Sequence, residues 1–571
     1  MPPTLAKRAL RRCGALIAAL AAGCRANEDG AIADPELAGE AAGGARSDGV
    51  ASEPAAAAPA PTPAGPAGGR VVIGVRRLPA TLDPIAELDG WGQRVVDDLL
   101  YAGLTRRVAD APWAAPALAE RCLPLTDGKT VACRLRPDAR FHDDAPITGE
   151  DLLHSVNLWL GNHGANLRQR YGLDELRTVE LGPPPGESGG TWVRLGFAAR
   201  DPLVLERIAA IKVVPKKKRG EIGSGPMRLA ERGEDRLVFA PVVGDGPRVE
   251  LRAVPDGAAG ITALRRGEIH VLTEVSQAHV PSELRKPGMA TRFRGFLVSP
   301  AIYDVILYNL REGPQAGPRL RGALDQAIPR AELVSAVYGE PALATGVPVD
   351  LHAPSEIDLT ALAEDRAADA GLELWAAPDP AVDAAAIAAA DKVLVELGWV
   401  SERGIRRRGT TNLRLPIAWD GSPGLATQAA RAIRSAWRQL GITAPNVTAG
   451  WAYVLTLLRA GKFSVALARI AGGSDTDLAP YFHSRGAHNL SGVHDPGLDA
   501  ALDDYRQAST RSARDAAKAA IADKLAALRP VTVLHAPLQV LLVSRAVTGL
   551  EFVDDLPRLD RLGLGEVPPP R

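Results

Sequence analysis

The chain has 571 residues, 67 of them basic and 67 acidic, so its formal net charge is zero. That balance excludes a dedicated nucleic-acid binder, which carries a basic excess. Hydrophobic residues at 46% suffice for a large core, the length suggests roughly three structural units, and four cysteines without a CxxC spacing exclude a disulfide-rich scaffold and a cysteine metal knuckle.

The first 24 residues read as an export signal. Lys7, Arg8, Arg11 and Arg12 form a positive start, and Gly14 to Ala22 is an apolar run of nine residues. A bilayer-spanning helix needs about 20 residues, so this run fits a secretory segment instead. Ala21-Ala22-Gly23-Cys24 resembles a bacterial lipoprotein cleavage site with Cys24 as the lipidated residue; the alternative is an ordinary signal peptide with an incidental cysteine. No later stretch is apolar enough to span, which predicts an exported protein in the periplasm or cell envelope, tethered through Cys24. Residues 25–69 are rich in Ala, Gly and Pro and hold no aromatic residue. They cannot bury enough apolar surface to order themselves and read as a flexible stalk, with a reach of ~35–40 Å.

Arg70 to Val75 (RVVIGV) opens the folded body as a buried strand. Thr130 to Arg136 follows the turn signal Asp127-Gly128 and reads as a second strand. Val382 to Leu397 has helical apolar spacing, with Gly398 as its C-terminal cap, and Leu425 to Leu440 repeats the plan with Gly441. Between them Asn412 to Trp419 alternates like a strand, so this third of the chain predicts an α/β sheet.

Cys122 and Cys133 flank Asp127-Gly128 symmetrically, so a hairpin turning there sets them across from each other. An oxidising compartment favours a disulfide. A two-residue loop would make them a hydrogen-bonded pair, where a cross-strand disulfide is less comfortable; two buried thiols are the alternative.

Several segments, in order, resemble family 5 of the extracellular solute-binding proteins, the peptide-binding components of ABC importers. They are Leu82-Asp83-Pro84, Leu100 to Leu104 (LYAGL), Leu135 to Asp143 (LRPDARFHD) with Glu150-Asp151, Gly223-Ser224-Gly225-Pro226, Leu264 to Ile269 (LRRGEI), Tyr308-Asn309, Arg319 to Arg330 and Tyr338 to Ala342. The chain departs from the family pattern at Asp144 (usually Gly), His270 and Pro329 (each usually Asp) and Met227 (usually aromatic). The resemblance implies an α/β, two-lobed periplasmic-binding-protein type II fold of cluster C, with a small extra domain and a ligand cleft between lobes. It implies lobe I at 70–101, 212–302 and 543–571, the extra domain at 102–211, and lobe III at 303–542. It also implies hinge closure on the ligand and no enzymatic activity, since no catalytic constellation stands out.

Peptide binding in this family looks like strand addition. The resemblance aligns Asp475 with an aspartate that meets the ligand's ammonium group, and Arg469 with a basic residue that faces a ligand carboxylate. It aligns Trp451 with a cleft tryptophan, and Asp89-Gly90-Trp91 with a lobe I loop whose backbone pairs with the ligand. The bland readings are a turn at Asp475, a core Trp451 and a plain loop with an exposed Trp91. His142-Asp143-Asp144 belongs to the signature. His483, His488 and His494-Asp495 read as exposed rather than metal-binding, and no cofactor is expected.

The leading expectation is a monomeric receptor that takes a peptide or other small solute to a membrane permease and its ATPase. The alternatives are the same fold holding a nickel chelate, haem or oligosaccharide, which the missing tryptophan near Gly472 favours, and an orphan sensory or scaffold lipoprotein.

Overall fold

A computed structural model describes residues 69–565 apart from 87, 89, 109–113, 202, 217–221, 276–279, 300–301, 339–346, 350–353, 365–379, 423, 472–476 and 554–555. Its largest element is an eight-stranded sheet. From one edge to the other the strands are Ser355–Ile357, Phe293–Val298, Gln539–Ser544, Val271–Leu272, Arg70–Val75, Arg248–Ala253, Arg236–Pro241 and Met227–Arg232. Arg70–Val75 runs parallel to both of its neighbours, and the remaining pairs are antiparallel. Its alternate residues serve two cores. Val71, Ile73 and Val75 pack with Leu99, Phe239 and Phe296 on one face, and Val72 packs with Leu264, Leu297 and Leu542 on the other. A strand covered on both faces reads as a continuous apolar run, which is why RVVIGV has no polar beat. The carboxylate of Glu250 is fully buried in this sheet between Arg70 (2.9 Å) and Arg252 (2.6 Å).

The second lobe is built on a five-stranded sheet, in the order Asn446–Ala449, Ile417–Asp420, Val465–Ala471, Ile302–Tyr308 and Val531–His535. The helices Pro380–Glu396 and Leu425–Gln439 lie where the sequence implies, and Gly398 and Gly441 take the left-handed conformation (φ 78° and 76°) that ends them. The single strand expected at 412–419 is instead two. Thr411–Asn412 closes a three-stranded hairpin sheet, and Ile417–Asp420 enters the main one. Pro416 separates them; it has no N–H for a ladder.

The lobe boundaries also shift. The chain passes from one sheet to the other between Val298 and Ile302 and between His535 and Gln539, not at 302/303 and 542/543, because Ile302 pairs with Ala471 while Gln539 already pairs with Val298. In addition, Ser355–Ile357 and the helix Leu359–Ala363, expected in lobe III, pack on the eight-stranded sheet. Val531 to Val543 is broken by His535, Pro537 and Gln539, and Pro537, which has no N–H for a ladder, lies where one sheet stops and the next begins.

The extra domain has a four-stranded antiparallel sheet, Ala119–Pro124, Thr130–Leu135, Trp192–Phe197 and Leu176–Leu181, under the helix Gly149–Leu160. That helix begins with a capping box: Thr148 Oγ1 accepts from Asp151 N, and the Asp151 carboxylate accepts from Thr148 N. Glu150-Asp151 in the signature is thus a helix start. His142 is a staple: its Nδ1 accepts from Gly223 N (3.2 Å), and its Nε2 lies 3.1 Å from the Gly225 carbonyl. Both glycines are sterically required. A Cβ on Gly223 would sit 2.0 Å from the Leu100 carbonyl, and one on Gly225 2.3 Å from that of Leu99.

The departures from the family pattern have physical answers. Asp144 holds φ 62°, a region where Asp is among the few tolerated residues besides Gly. His270 Nδ1 accepts from Val72 N across the sheet. Pro329 cannot cap the helical turn at Arg330, and Asp383 does so from another helix, accepting from Ala331 N and Glu332 N at 3.2 Å each. Met227 is buried in the core of the large sheet.

Cys122 pairs with Cys133 in register, and their sulfurs are bonded with Cα atoms 4.1 Å apart. The loop is longer than two residues. Leu125 N donates to the Thr130 carbonyl, and Asp127 accepts from Lys129 N and Thr130 N. This four-residue loop flips the parity of the ladder and makes 122/133 a non-hydrogen-bonded pair, whose Cα atoms approach more closely. Peptide mapping without reduction should recover the two cysteines joined, and replacing both with Ser should lower stability by about 2–3 kcal/mol; two alkylatable thiols in exported protein would contradict this.

Asp98 supplies a pH-dependent term. It accepts from Leu559 N (3.0 Å), tying the C-terminal return to the segment before the extra domain. Burial pushes its pKa up to about 6; Arg94 opposes this and Asp560 adds to it. Since the folded pKa lies above the unfolded one, the stability from this group is present below about pH 4 and is lost as pH rises through about 6, by on the order of 3 kcal/mol. Asp98→Asn should therefore be at least as stable as the parent in urea at pH 7.5, with a flatter stability profile between pH 4 and 6. A loss of stability at pH 7.5 would show that the ionised carboxylate is needed.

Candidate functional site

Two short crossings join the large-sheet lobe to the five-stranded lobe. They act as a pair, because Ser299 Oγ, buried, donates to the Pro537 carbonyl at 3.2 Å. Several strand ends meet at this border. Ile417–Asp420 runs parallel to Asn446–Ala449 and to Val465–Ala471, and Ala471 pairs with Ile302, the first residue after one crossing. His535, the last residue of its strand, precedes the other crossing and pairs with Asp304 beyond a bulge. From the other side, the carboxyl end of Val271–Leu272 points back toward the same border, with Val275 N donating to the Val540 carbonyl. Carboxyl ends of strands from two sheets thus flank one edge. In open α/β sheets the loops beyond such ends hold ligands, because unpaired backbone groups and loop side chains converge there.

The candidate residues distribute unevenly around this edge. Trp451 begins the helix Trp451–Arg459 one residue after Asn446–Ala449; it is half-buried and packs against the lobe's own core. Gly90 and Trp91 open the helix Gly90–Val95, beyond the loop that leaves Arg70–Val75. Trp91 is half-buried against the large-sheet core, where the plain-loop reading has it exposed. A Cβ on Gly90 would make only an ordinary contact, 3.6 Å from Leu556 Cδ1, so the protein's own packing does not demand glycine there. Asp89 and Asp475 lie outside the described residues.

Arg469, near the carboxyl end of Val465–Ala471, is 60% exposed, yet its charge is already met. Its Nε and Nη2 donate to the two oxygens of Asp304, at 2.8 and 3.2 Å. This bidentate pair raises the guanidinium pKa further. Tyr338 stands close by. Its ring stacks on His535 with centroids 4.0 Å apart and planes 6° from parallel. Burial, together with the Asp304 charge, pushes the Tyr338 phenol up, so it stays neutral at physiological pH. Arg469, Asp304, Tyr338 and His535 therefore form a wall with no net charge when His535 is neutral. The Arg469 charge is shared with Asp304, so its attraction for any further anion is weaker than that of an unpaired guanidinium. Sequence reasoning missed Asp304 because its partner lies 165 residues away. The one available signal was an aspartate inside the otherwise apolar strand Ile302–Tyr308 (IYDVILY).

His483 is buried, contrary to the exposed reading. Its Nδ1 accepts from Arg485 N (3.0 Å), and Asp499 and Asp503 lie 3.6 and 3.7 Å from the ring nitrogens. Among the described residues no group of three or more His, Cys, Asp or Glu side chains is arranged to hold a metal ion, and no helix is long and apolar enough to cross a membrane.

The model for bacterial extracellular solute-binding proteins, family 5, matches residues 114–489. Protein XP55 of Streptomyces lividans is 27% identical over 490 residues, covering 79% of this chain and 82% of its own. Among solved structures, the oligopeptide-binding protein AppA of Bacillus subtilis, in complex with a nonapeptide, matches with a TM-score of 0.57 at 17% identity, covering 88% of this chain and 100% of its own. NikA of Brucella suis, in complex with Fe(III)-EDTA, matches at 0.61 and 18%, covering 87% and 100%. These likenesses give the architecture a name, the two-lobed periplasmic-binding-protein type II fold. With two lobes, paired crossings, strand ends flanking a common edge and a family match over most of its length, this chain belongs to the family 5 extracellular solute-binding proteins.

Proposed function

We propose that this protein captures a peptide-like solute outside the cytoplasmic membrane and hands it to an ABC permease with its ATPase. The ligand sits between the two lobes, which close on it about the paired crossings. The observation that carries this reading is the meeting of strand ends from both sheets at one edge, in a chain of this receptor family. Cys24 carries the lipid anchor, and residues 25–69 let the folded body stand off the membrane. Asp475 accepts from the ligand's ammonium group, Trp451 and Gly90-Trp91 border the ligand, and Asp89 belongs to the same loop as Gly90.

A second reading, a non-peptide solute such as a metal chelate, draws support from one feature: Asp304 already answers Arg469, which weakens the recognition of a peptide's carboxylate. NikA was solved with a chelate and AppA with a peptide, so the fold accommodates either class. Native mass spectrometry of freshly purified protein distinguishes them, because a peptide and a chelate differ in mass and in isotope pattern.

Two predictions follow from the primary reading. Cys24→Ser should move the protein from the membrane to the soluble fraction, and an unchanged membrane fraction would refute the anchor. Asp475→Ala should melt like the parent without ligand but lose affinity for a peptide with a free amino terminus. Stranding a buried ammonium costs about 2–5 kcal/mol, which is a roughly 30- to 5000-fold weaker Kd by calorimetry. N-acetylated peptide should bind the parent poorly and lose little more on the variant. Equal affinity of parent and variant would eliminate ammonium recognition and put the chelate reading first.

A further inference from the structure

The extra domain is fastened to the large-sheet lobe. His142 Nδ1 accepts from Gly223 N, Ser155 Oγ accepts from Val214 N, and Ser224 Oγ accepts from Ala102 N, each joining a residue of 102–211 to one of 212–302. The five-stranded lobe has a different attachment, since its sheet continues into the large one through the two strand crossings. Any contact between the extra domain and the five-stranded lobe therefore bridges parts that hinge motion would separate.

Such a contact exists, and it is ionic. Arg514, in the first turn of the helix Arg511–Leu528, sets Nη2 2.8 Å from Glu206 Oε2 in the extra domain. The two side chains are only 3% and 11% exposed. Glu206 Oε1 also lies 3.6 Å from Arg107, within its own domain. A second link runs in the opposite sense: Arg207 of the extra domain lies 3.5 Å from Asp477 of the five-stranded lobe. Each of these partners is held from its own side. Arg207 is fixed by Asp201 (2.9 Å) and by donating to the Gly172 carbonyl (2.8 Å). Asp477 is fixed by Arg506 (2.6 Å) and by accepting from Ala479 N (3.0 Å). Exposed ion pairs contribute little, because water screens them and the side chains lose freedom. These charges are shielded from water and pre-positioned, so little freedom remains to be lost.

We propose that Glu206–Arg514 and Arg207–Asp477 form a latch by which the extra domain holds the five-stranded lobe in the closed position, and so sets how fast the captured solute is released. These are positioning residues, none of which needs to touch the solute. The proposal rests on the hinge-closing reading above, but its test needs no ligand.

The test is small-angle X-ray scattering of the full ligand-free chain at about 150 mM salt, since charges shielded from water are screened little by added salt. Glu206→Gln and Arg514→Met should each have a larger radius of gyration than the parent, with the closed-to-open ratio reduced about tenfold or more. Inverting the whole cluster (Glu206→Arg with Arg514→Glu and Arg107→Glu, since Arg107 also lies 3.6 Å from Glu206) should restore compaction. The latch is overturned if the single variants scatter like the parent or if the inversion leaves the protein open. Should either single variant melt early, the inverted cluster decides alone. Failure of the capture reading would look different: no retained cargo and no peptide-induced stabilisation, with the expansion of the single variants intact.

Discussion

The architecture depends on two strands that leave one sheet and enter another side by side. Phe293–Val298 continues into Ile302–Tyr308, and Val531–His535 continues into Gln539–Ser544. In each sheet the two pair with one another, as the antiparallel registers Val298↔Gln539 and Val305↔Val533 show. The backbone ladder is thus made on both sides of the border, with one bulge between Asp304 and Val305, and stops at the border. A ladder resists bending where its bonds are made and yields where they stop. The border is therefore the natural place for motion, and Ser299 bonding to Pro537 keeps the two crossings moving together.

The protein uses arginine in two ways. Arg321 and Arg406 are buried and spend their donors on backbone carbonyls. Arg321 donates to the carbonyls of Gln315, Ala316, Leu528 and Arg529, and Arg406 to those of Trp399 and Leu440 while meeting Asp391. A planar, permanently charged fork suits this task, because one side chain answers several helix-end and turn carbonyls that would otherwise be orphaned. Arg469, Arg207 and Arg514 are set instead against carboxylates that come from elsewhere in the chain or from another domain. In the first group the guanidinium is part of the fold. In the second its partner belongs to another strand or another body, so the same chemistry registers relative position.

The departures from the family pattern show how local chemistry moves without changing the fold. Where a cap is missing at Pro329, Asp383 supplies it from another helix. At 270, where the family pattern has aspartate, an imidazole nitrogen accepts a backbone bond from Val72 N. Each position had backbone N–H groups to satisfy, and each found a different acceptor to do so.

Read alone, the amino-acid order determined what depends on near neighbours. The apolar run of Arg70–Val75, the helices closed by Gly398 and Gly441, the hairpin that brings Cys122 to Cys133 and the family signature were all legible, because each rests on periodicity, a left-handed glycine or a turn within a dozen residues. The candidate loops at Asp89–Trp91 and Asp475 were legible only through resemblance. Other features depended on tertiary structure. The sheet that claims Ser355–Ile357, the crossing at 536–538 and the shift to a four-residue loop at 126–129 were settled by which surfaces and ladder bonds could be buried together. Asp304 against Arg469, and Glu206 against Arg514, were likewise hidden, because a charge pair leaves no periodic mark when its partners are 165 or 308 residues apart. Pattern in a chain reports the environment a residue needs; only the folded arrangement supplies the partner that provides it.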